Sequence, residues 1–113
     1  DVSLITDMTD IFLSKSTFND DISSWDVSSV TNMYQMFKLA TNFNQDISGW
    51  DVSSATDMES MFRGATSFNQ DISDWDLSSV TSMSDMFLDA NAVSDVNLNV
   101  TIGILMFPIL RQL

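Results

Sequence analysis

Phe43-Asn44-Gln45-Asp46-Ile47-Ser48-Gly49-Trp50-Asp51-Val52-Ser53-Ser54-Ala55-Thr56-Asp57-Met58-Glu59-Ser60-Met61-Phe62-Arg63-Gly64-Ala65-Thr66-Ser67 is a block that the chain writes repeatedly, at a fixed interval of 25 residues. Phe18, Phe43 and Phe68 open the copies, and inside each come a Trp (Trp25, Trp50, Trp75), a Met pair (Met33/Met36, Met58/Met61, Met83/Met86) and a Phe (Phe37, Phe62, Phe87). The interval holds without a gap at bulky and small positions alike. A fixed period of this length is the signature of stacked units, each too small to bury its apolar face except against its neighbours.

Each copy divides into two halves with different apolar spacing. Ile47, Trp50 and Val52 stand at i, i+3 and i+5, as do Ile22/Trp25/Val27 and Ile72/Trp75/Leu77. This is an L-x-x-L-x-L arrangement, which predicts short parallel strands at residues 25–27, 50–52 and 75–77. In the second half Ala55, Met58, Met61/Phe62 and Ala65 follow three- and four-residue steps, which predicts a short helix over about residues 57–63 with Thr56 and Glu59 as a capping box. The fold class expected is therefore α/β: a leucine-rich-repeat-like solenoid of 25-residue coils, each with one short parallel strand and one short helix. It forms one domain over residues 1–113, with a partial first coil (1–17), full repeats at 18–42, 43–67 and 68–92, and a divergent C-terminal coil or cap at 93–113. Asp1 to Phe12 fit the repeat from its middle onward, as expected of a piece of a longer array. After Ala90 two registers compete. One keeps the 25-residue step and pairs Val100 with Trp75; the other shortens the coil by four and pairs Val96 with Trp75.

Charge narrows the partners. Sixteen acidic residues against four basic ones give a net charge of −12. That repels phosphate backbones and argues against nucleic acid, while favouring cationic protein partners. With no Cys and no His, thiol chemistry and the commonest base and transition-metal ligand are missing. No Gly-rich phosphate loop is present, and the many Ser lack a His or Lys base in the repeat, so neither enzymatic activity nor a cofactor is expected. The chain shows no targeting segment and no apolar run long enough to span a bilayer.

The string F-N-x-D-I-S-x-W-D-V-S-S-V-T-x-M-x-x-M-F-x-x-A, carried at 18–40, 43–65 and 68–90, closely resembles the BspA-like surface-protein repeat of mycoplasma lipoproteins, other bacteria, and unicellular algae and protists. The resemblance implies a leucine-rich-repeat-like architecture in secreted or surface-exposed proteins, sometimes linked with adhesion, and brings no catalytic residues. It covers residues 1 to about 91.

Candidate binding residues follow from position. The outer places of the second half differ between copies, and Tyr34, Glu59, Arg63 and Asp85 are the side chains expected to recognise a partner. The Asp columns Asp21/Asp46/Asp71 and Asp26/Asp51/Asp76 would repel along the stack. Either turn N–H and Ser groups satisfy them, or a hard cation such as Ca²⁺ bridges Asp26, Asp51 and Asp76. The Asn19/Asn44/Asn69 column reads as a structural ladder, and the Trp as core rather than a stacking platform. In the tail, Ile104, Phe107 and Leu110 offer an apolar surface for docking on another subunit. The leading expectation is a non-catalytic recognition or adhesion module of a surface or secreted protein. The alternative is a structural subunit of a larger, membrane-associated assembly held through that tail.

Overall fold

Alternate backbone N–H groups point in opposite directions along this chain, and that alternation builds the fold. The structure, a computed structural model, describes residues 1–98. In the run 33–40 the N–H groups of Met33, Gln35, Phe37 and Leu39 donate outward to the carbonyls of Asp57, Glu59, Met61 and Arg63 at 2.8–3.0 Å. Those of Met36, Lys38 and Ala40 turn back on Met33, Gln35 and Phe37, three residues earlier. The run from Met8 bonds to the run from Asn32 in the same way, and the run from Met58 to the run from Ser82. Isolated parallel bridges Asp7↔Asn32, Asn32↔Asp57 and Asp57↔Ser82 mark the shared starting point of these runs.

Left-handed backbone makes the alternation possible. Asp10, Gln35, Ser60 and Asp85 have φ of 63°, 55°, 56° and 58°, and Ser14, Leu39, Gly64 and Asp89 have φ of 60°, 61°, 70° and 62°. Two such residues in a run cost roughly 2–4 kcal/mol when neither is Gly. Four hydrogen bonds to the adjoining run, at about 0.5–1.5 kcal/mol each, together with burial of the Phe and Met side chains, offset that cost. Tertiary contacts, not local preference, therefore hold the backbone in this shape.

The interior is a set of aromatic columns. Phe12, Phe37, Phe62 and Phe87 stack at 5.4–5.6 Å between ring centroids, and Phe18, Phe43 and Phe68 at 5.6–5.9 Å. The two columns touch at 3.9–4.2 Å. Met33, Met36, Met58, Met61 and Met86 are fully buried around them. Trp50 and Trp75 are 4% and 2% exposed, so they point inward as their spacing predicts. Their indole N–H groups donate to the carbonyls of Ile22 and Ile47 at 3.1 and 3.2 Å, which removes the penalty of burying a polar atom.

The α/β leucine-rich-repeat-like solenoid expected from the sequence is not what forms. The described residues hold no α-helix and no strand beyond isolated bridges; their one helical element is a 3-10 turn, Asp95–Asn97. Regular repeat secondary structure is likewise missing among them, so the leucine-rich-repeat description does not fit the observed architecture. Two physical causes account for this. Where strands were expected at 25–27, 50–52 and 75–77, the flanking Asp and Ser close tight turns: Asp46 Oδ1 accepts from the Ser48 N–H at 2.9 Å and Asp51 Oδ1 from the Ser53 N–H at 3.0 Å. The bridges lie in the other half of each block. Where a helix was expected over 57–63, Ser60 is left-handed, which breaks helical winding, and the Thr56/Glu59 capping box gives way to Asp57 Oδ1 accepting from the Glu59 N–H at 2.9 Å.

Beyond Ala90 the 25-residue step holds as far as Ser94. Ser94 N–H donates to Asn69 Oδ1 at 2.9 Å, and Val96, which the shortened register would bury in a Trp place, is 82% exposed. But Asn97 Nδ2 reaches Asn69 from 28 residues away where Gln70 reaches Asn44 from 26, and Leu98 is buried as the shortened register expects, so neither register holds throughout.

Candidate functional site

The outer rim of the turn runs carries the side chains that differ from one block to the next. Tyr34 is half-buried, its N–H fixed by Asn32 Oδ1 at 2.9 Å. Beside it the Gln35 carboxamide, in the orientation that satisfies its neighbours, donates to Asp10 Oδ1 at 2.9 Å and accepts from the Tyr34 hydroxyl at 3.2 Å and Lys38 Nζ at 3.1 Å. One block further on Glu59 is half-buried, and Arg63 Nη1 lies 3.9 Å from Asp85 Oδ2. Both partners of that pair are well exposed, so it contributes little to stability and leaves the guanidinium available to a ligand.

The structure thus brings Arg63 and Asp85 together directly and sets Tyr34 in a separate polar cluster. Spacing alone did not select Asp10, Gln35 or Lys38. Variation at their positions was the visible signal for Gln35 and Lys38; Asp10 lay in the incomplete first block. Ile104, Phe107 and Leu110 lie outside the described residues. No helix among the described residues is long and apolar enough to cross a membrane.

The acidic columns are turn acceptors. Asp26 Oδ1 takes the Ser28 N–H at 3.0 Å and its hydroxyl at 2.6 Å, and Asp51 does the same with Ser53. Asp71 repeats it with Ser73, and Asp76 Oδ1 takes the Ser78 N–H. The Ser28 and Ser53 hydroxyls, and then their N–H groups, hold the Asp26 and Asp51 carboxyls below the ordinary carboxylate range, against the weaker opposing repulsion from the next Asp in the column. Among the described residues no group of three or more acidic side chains is arranged to hold a metal ion.

The Asn column is a ladder, and an exposed one. Asn19 Oδ1 accepts from the Asn44 N–H at 2.8 Å and Asn44 Oδ1 from the Asn69 N–H at 2.9 Å. Gln45 and Gln70 add bonds to the Asn19 and Asn44 carbonyls.

No curated protein and no solved structure matches the chain. A family profile does, over residues 1–100, and the chain accordingly belongs to the family described as Mycoplasma protein of unknown function, DUF285.

Proposed function

We propose that the chain is a non-catalytic recognition module of a surface or secreted protein, of the BspA-like kind, which binds another protein through the rim around Tyr34, Glu59, Arg63 and Asp85. The observation that carries this reading is a contrast. The interior Phe, Trp and Met columns are spent on packing, while matching rim positions present unlike side chains in half-exposed, mutually oriented groups. A surface of that kind can discriminate between partners, whereas the Asp columns, nearly the same in every block, supply a field without side-chain specificity. That field attracts basic partners and weakens with salt.

The test applies fluorescently labelled chain to intact cells and measures saturable binding by flow cytometry. The variant Tyr34→Ala/Glu59→Ala/Arg63→Ala is expected to bind at least about tenfold less tightly with an unchanged melting temperature. Asp26→Asn/Asp51→Asn/Asp76→Asn keeps an acceptor oxygen in each turn, so it is expected to fold and to lose binding only at low salt. Saturable binding that survives the rim substitutions, or no saturable binding at all, rejects the proposal.

A further inference from the structure

The repeat is broken at one place on the rim. Where this block has Tyr34, Gln35 and Lys38, the next has Glu59, Ser60 and Arg63 and the one after it Ser84, Asp85 and Leu88, so the group that Gln35 gathers is not formed again.

Hydrogen-bond polarity is fixed within that group. The Gln35 carboxamide nitrogen donates to Asp10 Oδ1 at 2.9 Å, which turns its oxygen toward the Tyr34 hydroxyl at 3.2 Å and Lys38 Nζ at 3.1 Å. A carbonyl oxygen only accepts, so the Tyr34 proton is committed to it and the phenol oxygen presents lone pairs to an arriving ligand. Lys38 gives one N–H to the same oxygen and keeps two, because the one ion pair among the described residues lies elsewhere, between Arg63 and Asp85. Tyr34, Gln35 and Lys38 are all partly exposed. Side by side, then, stand an acceptor whose proton is taken and a donor that cannot accept.

That pairing sorts ligands by chemistry. A carboxylate suits Lys38 but has no proton for Tyr34, and it approaches a chain of net charge −12. An ammonium group suits Tyr34 and repels Lys38. A hydroxyl has to satisfy both through a single oxygen. A carboxamide is uncharged and offers an oxygen and an N–H side by side, which is how Gln35 itself serves Lys38, Tyr34 and Asp10.

We propose that Gln35 is the positioning residue of the rim and that the group received at Tyr34 and Lys38 is the carboxamide of an Asn or Gln side chain on the bound protein. This rests on the rim reading above and gives that reading a chemistry. Selectivity arises because any group lacking the N–H sets an oxygen against the Tyr34 oxygen and leaves both without a proton between them.

The probe is N-acetylglutamine N-methylamide, titrated into the full chain prepared with 3-fluorotyrosine, which labels residue 34 alone because the chain has one Tyr. The fluorine resonance is expected to shift saturably, with a midpoint at least about threefold lower than for the glutamate, serine or norleucine analogue of the same capped residue. Gln35→Met releases the Tyr34 proton and is expected to erase that preference. Asp10→Asn/Gln35→Glu exchanges the two ends of the inner bond, keeps an oxygen toward Tyr34 and Lys38, and is expected to retain it. A Gln35 that served only the fold would alter the melting temperature in these variants and leave the preference in place. Equal midpoints for all four probes, a lower midpoint for the serine or glutamate analogue, no saturable shift, or a preference that survives Gln35→Met overturns the inference. Cell binding that Tyr34→Ala/Glu59→Ala/Arg63→Ala abolishes, found together with equal midpoints, rejects this inference and leaves the rim reading standing; saturable cell binding that survives those substitutions rejects both.

Discussion

Gly64 occupies a place that Leu39 fills one block earlier, and the two positions are mechanically linked. A Cβ on Gly64 would stand 2.6 Å from Leu39 Cδ2, and the backbone there has φ +70°. Leu39 is itself left-handed and half-exposed, so its side chain lies over the glycine rather than in the core. Gly64→Ala is expected to destabilise the chain by about 1–2 kcal/mol, the cost of placing a side chain in left-handed backbone, plus a smaller term for moving Leu39. In urea unfolding the double variant Leu39→Ala/Gly64→Ala should recover the second term and not the first. Full additivity of the two substitutions would mean that the contact carries no energy.

The turn runs are where reading the sequence and observing the structure part company, and the reason is specific. Ala55, Met58, Met61 and Ala65 step by three and four, which suits a helix, but successive turns with i→i+3 bonds and a left-handed residue between them bring the same positions inward. Nothing in Gln35, Ser60 or Asp85 announces positive φ; a Gly there would have done so. The first half of each block did carry a readable warning. Asp46-Ile47-Ser48 and Asp51-Val52-Ser53 are both Asp-x-Ser turn signals, and they outweigh the apolar alternation that suggested a strand. What was legible is the interval and the inward Trp, Met and Phe; the varying places were expected to face solvent, and Tyr34, Glu59 and Arg63 are half-exposed, but Ser60 and Gly64 are buried. The Gln35 bond to Asp10 was not legible, because it depends on a left-handed backbone that no local residue specifies. One comparison separates the two conformations. With Ser60 at φ 56°, Ser60→Gly should be more stable than Ser60→Ala by about 1 kcal/mol, whereas in a helix the order reverses by a similar amount. Thermal or urea unfolding of the pair reads the sign.

Acid sensitivity belongs to the molecule as one body, since its acidic turns recur from Asp1 to Ser78. The carboxyls of Asp21, Asp26, Asp46, Asp51, Asp71 and Asp76 lie below their ordinary value, chiefly through the hydroxyls of the Ser two residues on and then through backbone N–H groups. A depressed folded-state pKa contributes stability that is present in full above the unfolded value, about 3.9, and is lost as pH falls through the folded one. The chain should therefore hold its stability from neutral pH down to about 4 and unfold only in stronger acid. Ser28→Ala/Ser53→Ala/Ser73→Ala, which removes the hydroxyl donors and keeps the N–H groups, should move the acid midpoint upward when followed by Trp fluorescence; an unmoved midpoint would show that the hydroxyls do not set it. The aromatic columns lead to a different kind of consequence. Phe37 and Trp50 are tilted by 31°, and Phe62 and Trp75 by 34°, so two indoles sit in nearly the same chiral surroundings beside ordered rings. Their optical activity should add rather than cancel. The protein is thus expected to show strong, finely structured circular dichroism in the near ultraviolet, and the described residues to add none of the paired far-ultraviolet minima of an α-helix. Heating should abolish the near-ultraviolet bands together with the columns.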